Sequence, residues 1–287
     1  MLNKKQIKTV SFLLLFFIFV LRSNGGIDPL TPNDPAYKDS ILLSLSSGKS
    51  FLSLPVVPLH QSMGKFVQEY GEDFEELFEN IKLNKSGYLK TIDKVFTQYQ
   101  IPLELKYLAI IESKLKTDAR SGVGAVGVWQ FMPGTAKTLG LKVTAKYDER
   151  QQIWKSSVAA AKYLTDLYGY FEDWLLVIAA YNSGPAPVFN AIKKSGSRNF
   201  WKLQNFLPKE TRLHVKRFIA THYYFEGGGS LVTLGKVETE KYLKQLADFK
   251  AKNDAGNDQD DTNSIAAFSQ WIAVANQENT LQLILKK

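Results

Sequence analysis

The 287-residue chain is 45% hydrophobic, enough to bury a sizeable core in one or two globular units. Its net charge of +8 falls to +4 once Lys4, Lys5, Lys8 and Arg22 are set aside with the first 25 residues. No Lys/Arg stripe alternates with aromatics, so nucleic-acid binding gets little support, and the lack of cysteine excludes disulfides.

In chain order, residues 1–25 read as an export signal. Three lysines precede the apolar run Val10–Leu21, and Ser23-Asn24-Gly25 offers small residues for cleavage. The run is shorter than the roughly 20 residues that span a bilayer, which leaves an uncleaved anchor as the weaker alternative. Either way the rest of the chain is expected outside the cytoplasm, in the periplasm or cell envelope. With no cysteine to carry a lipid, it is not expected to be a lipoprotein.

Residues 26–58, rich in Pro, Ser and Asp, read as an extended linker. A helical N-terminal extension follows over 59–87, with helical patterns at about His60–Tyr70 and Glu72–Leu83, the next spanning Tyr88–Tyr99. Pro102 suits the first turn of another helix, whose apolar side is Leu105, Leu108, Ala109, Ile111 and Leu115. Gly122–Gly127 cannot be regular helix, so an open loop or short β-hairpin is expected. Helix resumes at Pro133, and Glu149–Tyr168 reads as a long amphipathic helix. Trp174–Tyr181 is nearly all apolar and predicts a buried core helix, followed by helices at Pro185–Lys194 and Lys209–Phe225.

Gly227-Gly228-Gly229 is expected to end the compact region. The remainder, 227–287, reads as a C-terminal appendage with a flexible segment at 253–263. Its apolar patch Ala266–Ala275 would pack back on the domain or engage an envelope protein partner. Three scattered histidines, His60, His214 and His222, fit no metal-ligand spacing, and no cofactor is implied.

The chemistry concentrates in the middle. Glu112 closes an apolar helix and faces a glycine-rich loop with few other charges, which suits an acid that must hold its proton near neutral pH. Four blocks stand in order: Ile111-Glu112-Ser113; Gly124-Ala125-Val126-Gly127-Val128-Trp129-Gln130-Phe131-Met132-Pro133; Ala179-Ala180-Tyr181-Asn182-Ser183-Gly184-Pro185; and Leu207-Pro208-Lys209-Glu210-Thr211. Together they make the stretch from about Tyr88 to Phe225 resemble the lytic transglycosylases of the soluble-transglycosylase (SLT) superfamily, within it the membrane-bound type D branch.

The resemblance implies a mostly α, lysozyme-like catalytic domain over 88–226, akin to goose-type lysozyme. Its substrate would be the glycan strands of peptidoglycan, with Glu112 as sole acid/base. A glycosidase of the usual type needs two carboxylates. Here Asp118 lies outside the matched positions and Asp148-Glu149 open a helix. In the family the substrate supplies the nucleophile. The acid protonates the oxygen between N-acetylmuramic acid and N-acetylglucosamine, then takes the proton of the muramyl C6 hydroxyl, and a 1,6-anhydro sugar forms without water.

Tyr181, read as catalytic beside Glu112, matches a tyrosine that hydrogen-bonds or faces the acid, and Gln130 a substrate-binding amide. Asn182 would orient a sugar amide or cap a helix end. Ser121 matches a serine near the acid, although such serines also form turns. Met132 lies at a subsite position, or fills core. Ser113 joins the substrate-binding candidates or is only a helix-end hydroxyl. Glu210 matches a glutamate bordering the sugar or peptide site, and an acid there also complements a helix dipole. His214 stands where the family usually has tyrosine, a departure expected to leave the acid untouched. A hydrolytic muramidase and a non-catalytic peptidoglycan-binding scaffold are the alternatives.

Overall fold

The structure, a computed structural model, describes residues 55–254. The export signal, most of the linker and the tail beyond Asp254 lie outside them. Among the described residues the fold is helical, with three isolated β-bridges in place of strands.

Three helices open it: α1 (Gly64–Asp73), α2 (Glu75–Asn84) and α3 (Ser86–Gln98). The first starts four residues later than the sequence pattern suggests, because His60–Met63 form a turn instead. Pro102 precedes a single 3-10 turn, Leu103–Lys106, which runs into the two-turn α4 (Tyr107–Ser113). After a long loop come α5 (Pro133–Thr138), α6 (Ile153–Phe171) and α7 (Trp174–Ser183). The expected start of α6 at Glu149 is a 3-10 turn, and the α-helix begins at Ile153. Helices α8 (Pro185–Ser195), α9 (Phe200–Leu203) and α10 (Lys209–Glu226) complete the part that carries the site.

The core sits on α7. Every residue from Trp174 to Ala180 is buried, as a helix that is apolar on all sides requires. Around it pack α6, which also covers α3, and α10, which also touches α1 and α4. One core cluster thus joins the N-terminal helices to the rest, through Phe78, Ile92 and Phe96 on one side and Val215, Phe218 and Ile219 on the other.

Packing does not stop at the three glycines. Leu231–Thr233 form a buried 3-10 turn and Lys236–Asp254 form a final helix, α11. Leu231, Leu234 and Tyr242 make a second, small cluster with Val57 from the segment read as linker. The Tyr242 hydroxyl donates to the carbonyl of Pro55 at 2.9 Å, fixing that segment in place. No described helix is long and apolar enough to cross a membrane.

Candidate active site

The helix that carries Glu112 has only two turns, so its position depends on what grips its ends. At the start, the Tyr107 hydroxyl donates to the Glu226 carboxylate at the far end of α10. Burial, and the negative charge of Glu226, push the phenol well above its usual range. At the other end the chain turns left-handed at both Lys114 (φ 56°) and Leu115 (φ 55°). The Lys85 ammonium donates to the carbonyls of both residues, at 2.9 and 3.2 Å. A cation there satisfies carbonyls that a helix end leaves open. Partial desolvation holds the Lys85 amine below its usual range. Leu115, fully buried, pins the turn.

Facing this helix is the loop 119–131. Its shape is set by side chains that donate to its backbone carbonyls. Ser113 donates to Val128 (2.9 Å) as well as to Ala109 (3.1 Å) within its own helix. Tyr181 donates to Trp129 (2.9 Å), and the Gln130 amide to Gly127 (2.8 Å) and Ala119 (3.3 Å). The Arg150 guanidinium, which is buried, donates to Gly124 (3.0 Å) and Phe131 (2.9 Å). The same guanidinium holds the Asp148 carboxylate from two nitrogens. That pairing keeps Asp148 below the usual carboxylate range.

Gly127 (φ +84°) could carry no side chain here, since a Cβ would lie 2.0 Å from the Arg150 carbonyl oxygen. Trp129, fully buried, donates from its indole nitrogen to Ser157 at 3.0 Å and so anchors the loop to α6. Of the two forms expected, the open loop is found and not the hairpin. Two bridges, Arg120 to Val126 and Val126 to Phe131, stand in its place.

The Glu112 side chain is 16% exposed. Its Oε1 lies 2.8 Å from Nε2 of His214, a buried residue on α10. The expectation that the departure at His214 leaves the acid untouched is therefore overturned. One turn before His214, Thr211 donates to the Asn182 side-chain oxygen at 2.9 Å, which ties α10 to the end of α7. Tyr181 lies close enough for the Glu112 charge to raise its phenol, although burial is the larger cause. Its hydroxyl goes to the Trp129 carbonyl rather than to the acid.

The remaining candidates divide. Ser121 accepts from the Ala125 amide at 2.9 Å, a turn-forming contact inside the loop. Met132 is 42% exposed just before α5. Glu210 is exposed and pairs with Arg217 at 2.7 Å. Ser113 spends its hydroxyl on two carbonyls and is buried. A cleft of about 420 Å³ with mixed polar and apolar walls, lined by Phe66, Tyr70, Phe74, Ile111, Leu213 and Arg217 among others, opens beside the acid's helix without including Glu112.

Two residues escaped the sequence reading. His214 carried a signal, an imidazole in a motif-bearing helix, but nothing in the sequence places it against an acid 102 positions earlier. Arg150 carried less, since an arginine after Asp-Glu at a helix start ordinarily faces solvent.

Comparison with known proteins shows what the chain is similar to. Residues 91–204 match the family model described as the transglycosylase SLT domain. Over 146 residues the chain is 38% identical to the membrane-bound lytic murein transglycosylase D of Escherichia coli strain K12, covering 49% of this chain and 32% of that protein. It is 33% identical over 130 residues to the peptidoglycan transglycosylase gp16 of Escherichia phage T7, covering 45% of this chain and 9% of that one. Among solved structures, the 70 kDa soluble lytic transglycosylase SLT70 of Escherichia coli aligns with a TM-score of 0.48 and 26% identity, over 60% of this chain and 29% of that one. The chain spans about a third of the length of the first curated relatives it matches. The helical structure agrees with the mostly α class expected from the motif blocks. Residues 91–204 are thus similar to the transglycosylase SLT domain.

Proposed function

We propose that this protein is a peptidoglycan lytic transglycosylase of the cell envelope. It cleaves the β-1,4 bond between N-acetylmuramic acid and N-acetylglucosamine and leaves 1,6-anhydromuramyl ends. The observation that carries the reading is Glu112. It closes the acid-bearing helix inside a stapled loop, and no other carboxylate is hydrogen-bonded to it or to His214 among the described residues. Asp148 is spent on Arg150, Glu149 on Lys155, and Glu210 on Arg217.

With Glu112 as the sole acid/base, the two-carboxylate routes to hydrolysis lack their second member. The same group must give a proton and then take one. Glu112 protonates the bridging oxygen, the bond from that oxygen to the muramyl C1 breaks, and positive charge develops at C1. The substrate's 2-acetamido group stabilises that charge. Glu112, now a carboxylate, accepts the proton of the muramyl C6 hydroxyl, whose oxygen bonds to C1. Atoms balance with no water consumed and no cofactor required. Gln130, Met132 and Asn182 are proposed to hold the sugars beside the acid, with Ser121 and Glu210 on the border of the site. Ser113 and Tyr181 are proposed to act by fixing the loop that forms its wall.

Mass spectrometry of muropeptides released by the protein, beside Glu112→Gln, tests this. The expected products are lighter by one water than reducing-end muropeptides, and vanish with the variant. Reducing-end products would replace the reading with a muramidase. Binding without any product would replace it with a scaffold.

A further inference from the structure

The imidazole of His214 is buried, and its two nitrogens have different surroundings. Nε2 lies 2.8 Å from Oε1 of Glu112. Nδ1 is buried with no hydrogen-bond partner. That asymmetry decides where the ring proton sits. Beside a protonated Glu112, an imidazolium would bury an uncompensated charge together with an unpaired N–H donor, the costliest arrangement. The tautomer with its proton on Nδ1 would also bury an unpaired donor. It would further require a protonated Glu112 to aim its O–H at Nε2 instead of at the substrate. The neutral tautomer with its proton on Nε2 leaves only one lone pair without a partner and places a donor against Oε1. It is the least costly of the three.

We infer that His214 is a positioning residue. As a neutral Nε2–H donor it makes the two oxygens of Glu112 unequal, fixing Oε1 as acceptor and leaving Oε2 to carry and transfer the proton. The inference rests on Glu112 being the acid proposed above. It accounts for how one carboxylate serves two opposite steps. Before bond cleavage, the donor holds Oε1 as the carbonyl oxygen of the acid, so the mobile proton stands on Oε2. After cleavage, the same N–H faces a carboxylate and the bond becomes charge-assisted, supporting the anion that must next accept the C6 proton. The ring neither gains nor loses a proton in either step. Tyr181 cannot supply this bond, because its hydroxyl is committed to the Trp129 carbonyl.

The test uses the full chain and two readouts. The first is kcat and KM for muropeptide release by His214→Phe and His214→Gln. The phenyl ring keeps bulk and removes the donor, whereas the glutamine amide restores an N–H near the position of Nε2. The phenylalanine variant is expected to lose kcat by on the order of a hundredfold, as for loss of one oriented donor, with KM within about twofold of wild type. The glutamine variant should recover about tenfold of that loss. The second readout is the ¹⁵N spectrum of histidine-labelled wild-type protein at neutral pH, where the His214 signals are those missing from His214→Phe or, should that variant not fold, from His214→Gln. The expected signature is a protonated Nε2 with a bare Nδ1.

Wild-type kcat in a folded His214→Phe, or an imidazolium or Nδ1–H signature, would overturn the inference. Glu112→Gln separates this failure from the larger one. If Glu112→Gln is inactive while His214→Phe is fully active, only the role of His214 falls. If Glu112→Gln keeps activity, the proposed function falls with it.

Discussion

Lys114 and Leu115 take up left-handed backbone immediately after the helix that bears the acid, and neither is glycine. A left-handed conformation costs an ordinary residue roughly 1 kcal/mol, and glycine nothing comparable. Leu115 offsets the cost by complete burial, but the Lys114 side chain is exposed and gains little. Lys114→Gly should therefore stabilise the protein by about 1 kcal/mol in urea unfolding, because glycine is the preferred residue at a left-handed helix end. A destabilised variant would sink the idea that the strain is local to Lys114. The turn is also where the helix must stop if Glu112 is to lie at its end rather than within it, so the strain accompanies the site.

Among elements, the junction of α7 with α11 depends on one side chain. Asp173 precedes α7 and is buried. It accepts from the Leu176 amide at 3.2 Å and from the Lys236 amide at 2.7 Å, so a single carboxyl caps two helices. Burial pushes its carboxyl up to about 6 from an ordinary 3.8, against the lowering effect of the backbone donors, with Glu238 adding to the rise.

The folded state thus binds the proton more tightly than the unfolded chain. The stability this brings is complete below about pH 4 and is lost as pH rises through about 6. The loss amounts to about 3 kcal/mol at most. Asp173→Asn removes the titration. The stability of wild type relative to this variant should fall between about pH 4 and about pH 7 in urea unfolding, and a difference that stays flat would refute the burial argument.

The same scale separates what the sequence made legible from what it did not. Trp174–Ala180 announced a buried helix because an all-apolar run has no other place to go. The loop at 122–127 was legible from its glycines, and Gly127 meets the reason, a backbone carbonyl where a Cβ would stand. The pairing of His214 with Glu112 was not legible, because it arises where α10 crosses α4 and no local pattern encodes a crossing. Nor was Arg150, whose Nη1 finds its two acceptors on a loop about 20 residues away while Nε and Nη2 hold Asp148. The apolar spacing of α11 is too sparse to distinguish it from a polar tail, which hid the second cluster.

At the scale of the molecule, two cores of unequal size divide the labour. The large one holds the acid-bearing helix, and the small one joins Val57 to Leu231, Leu234 and Tyr242. Removing the buried ring in Tyr242→Ala should cost about 3 kcal/mol of stability, through lost burial and the lost bond to Pro55. Muropeptide release at moderate temperature should be unchanged, since the loop is held by other side chains, Ser113, Gln130, Arg150 and Tyr181. A variant that keeps its stability, or loses activity while folded, would contradict this division.

The loop at 119–131 is gripped by its carbonyls, and most of the gripping side chains, Ser113, Arg150 and Tyr181, lie outside it. Carbonyls are the one feature every residue brings, so the path of this wall does not depend on what several of its own positions display. Val123, 78% exposed, is such a position. For protein engineering the loop is therefore a frame open to diversification: a library at Val123 and its exposed neighbours can reshape the loop's outer surface while its path along α4 is kept.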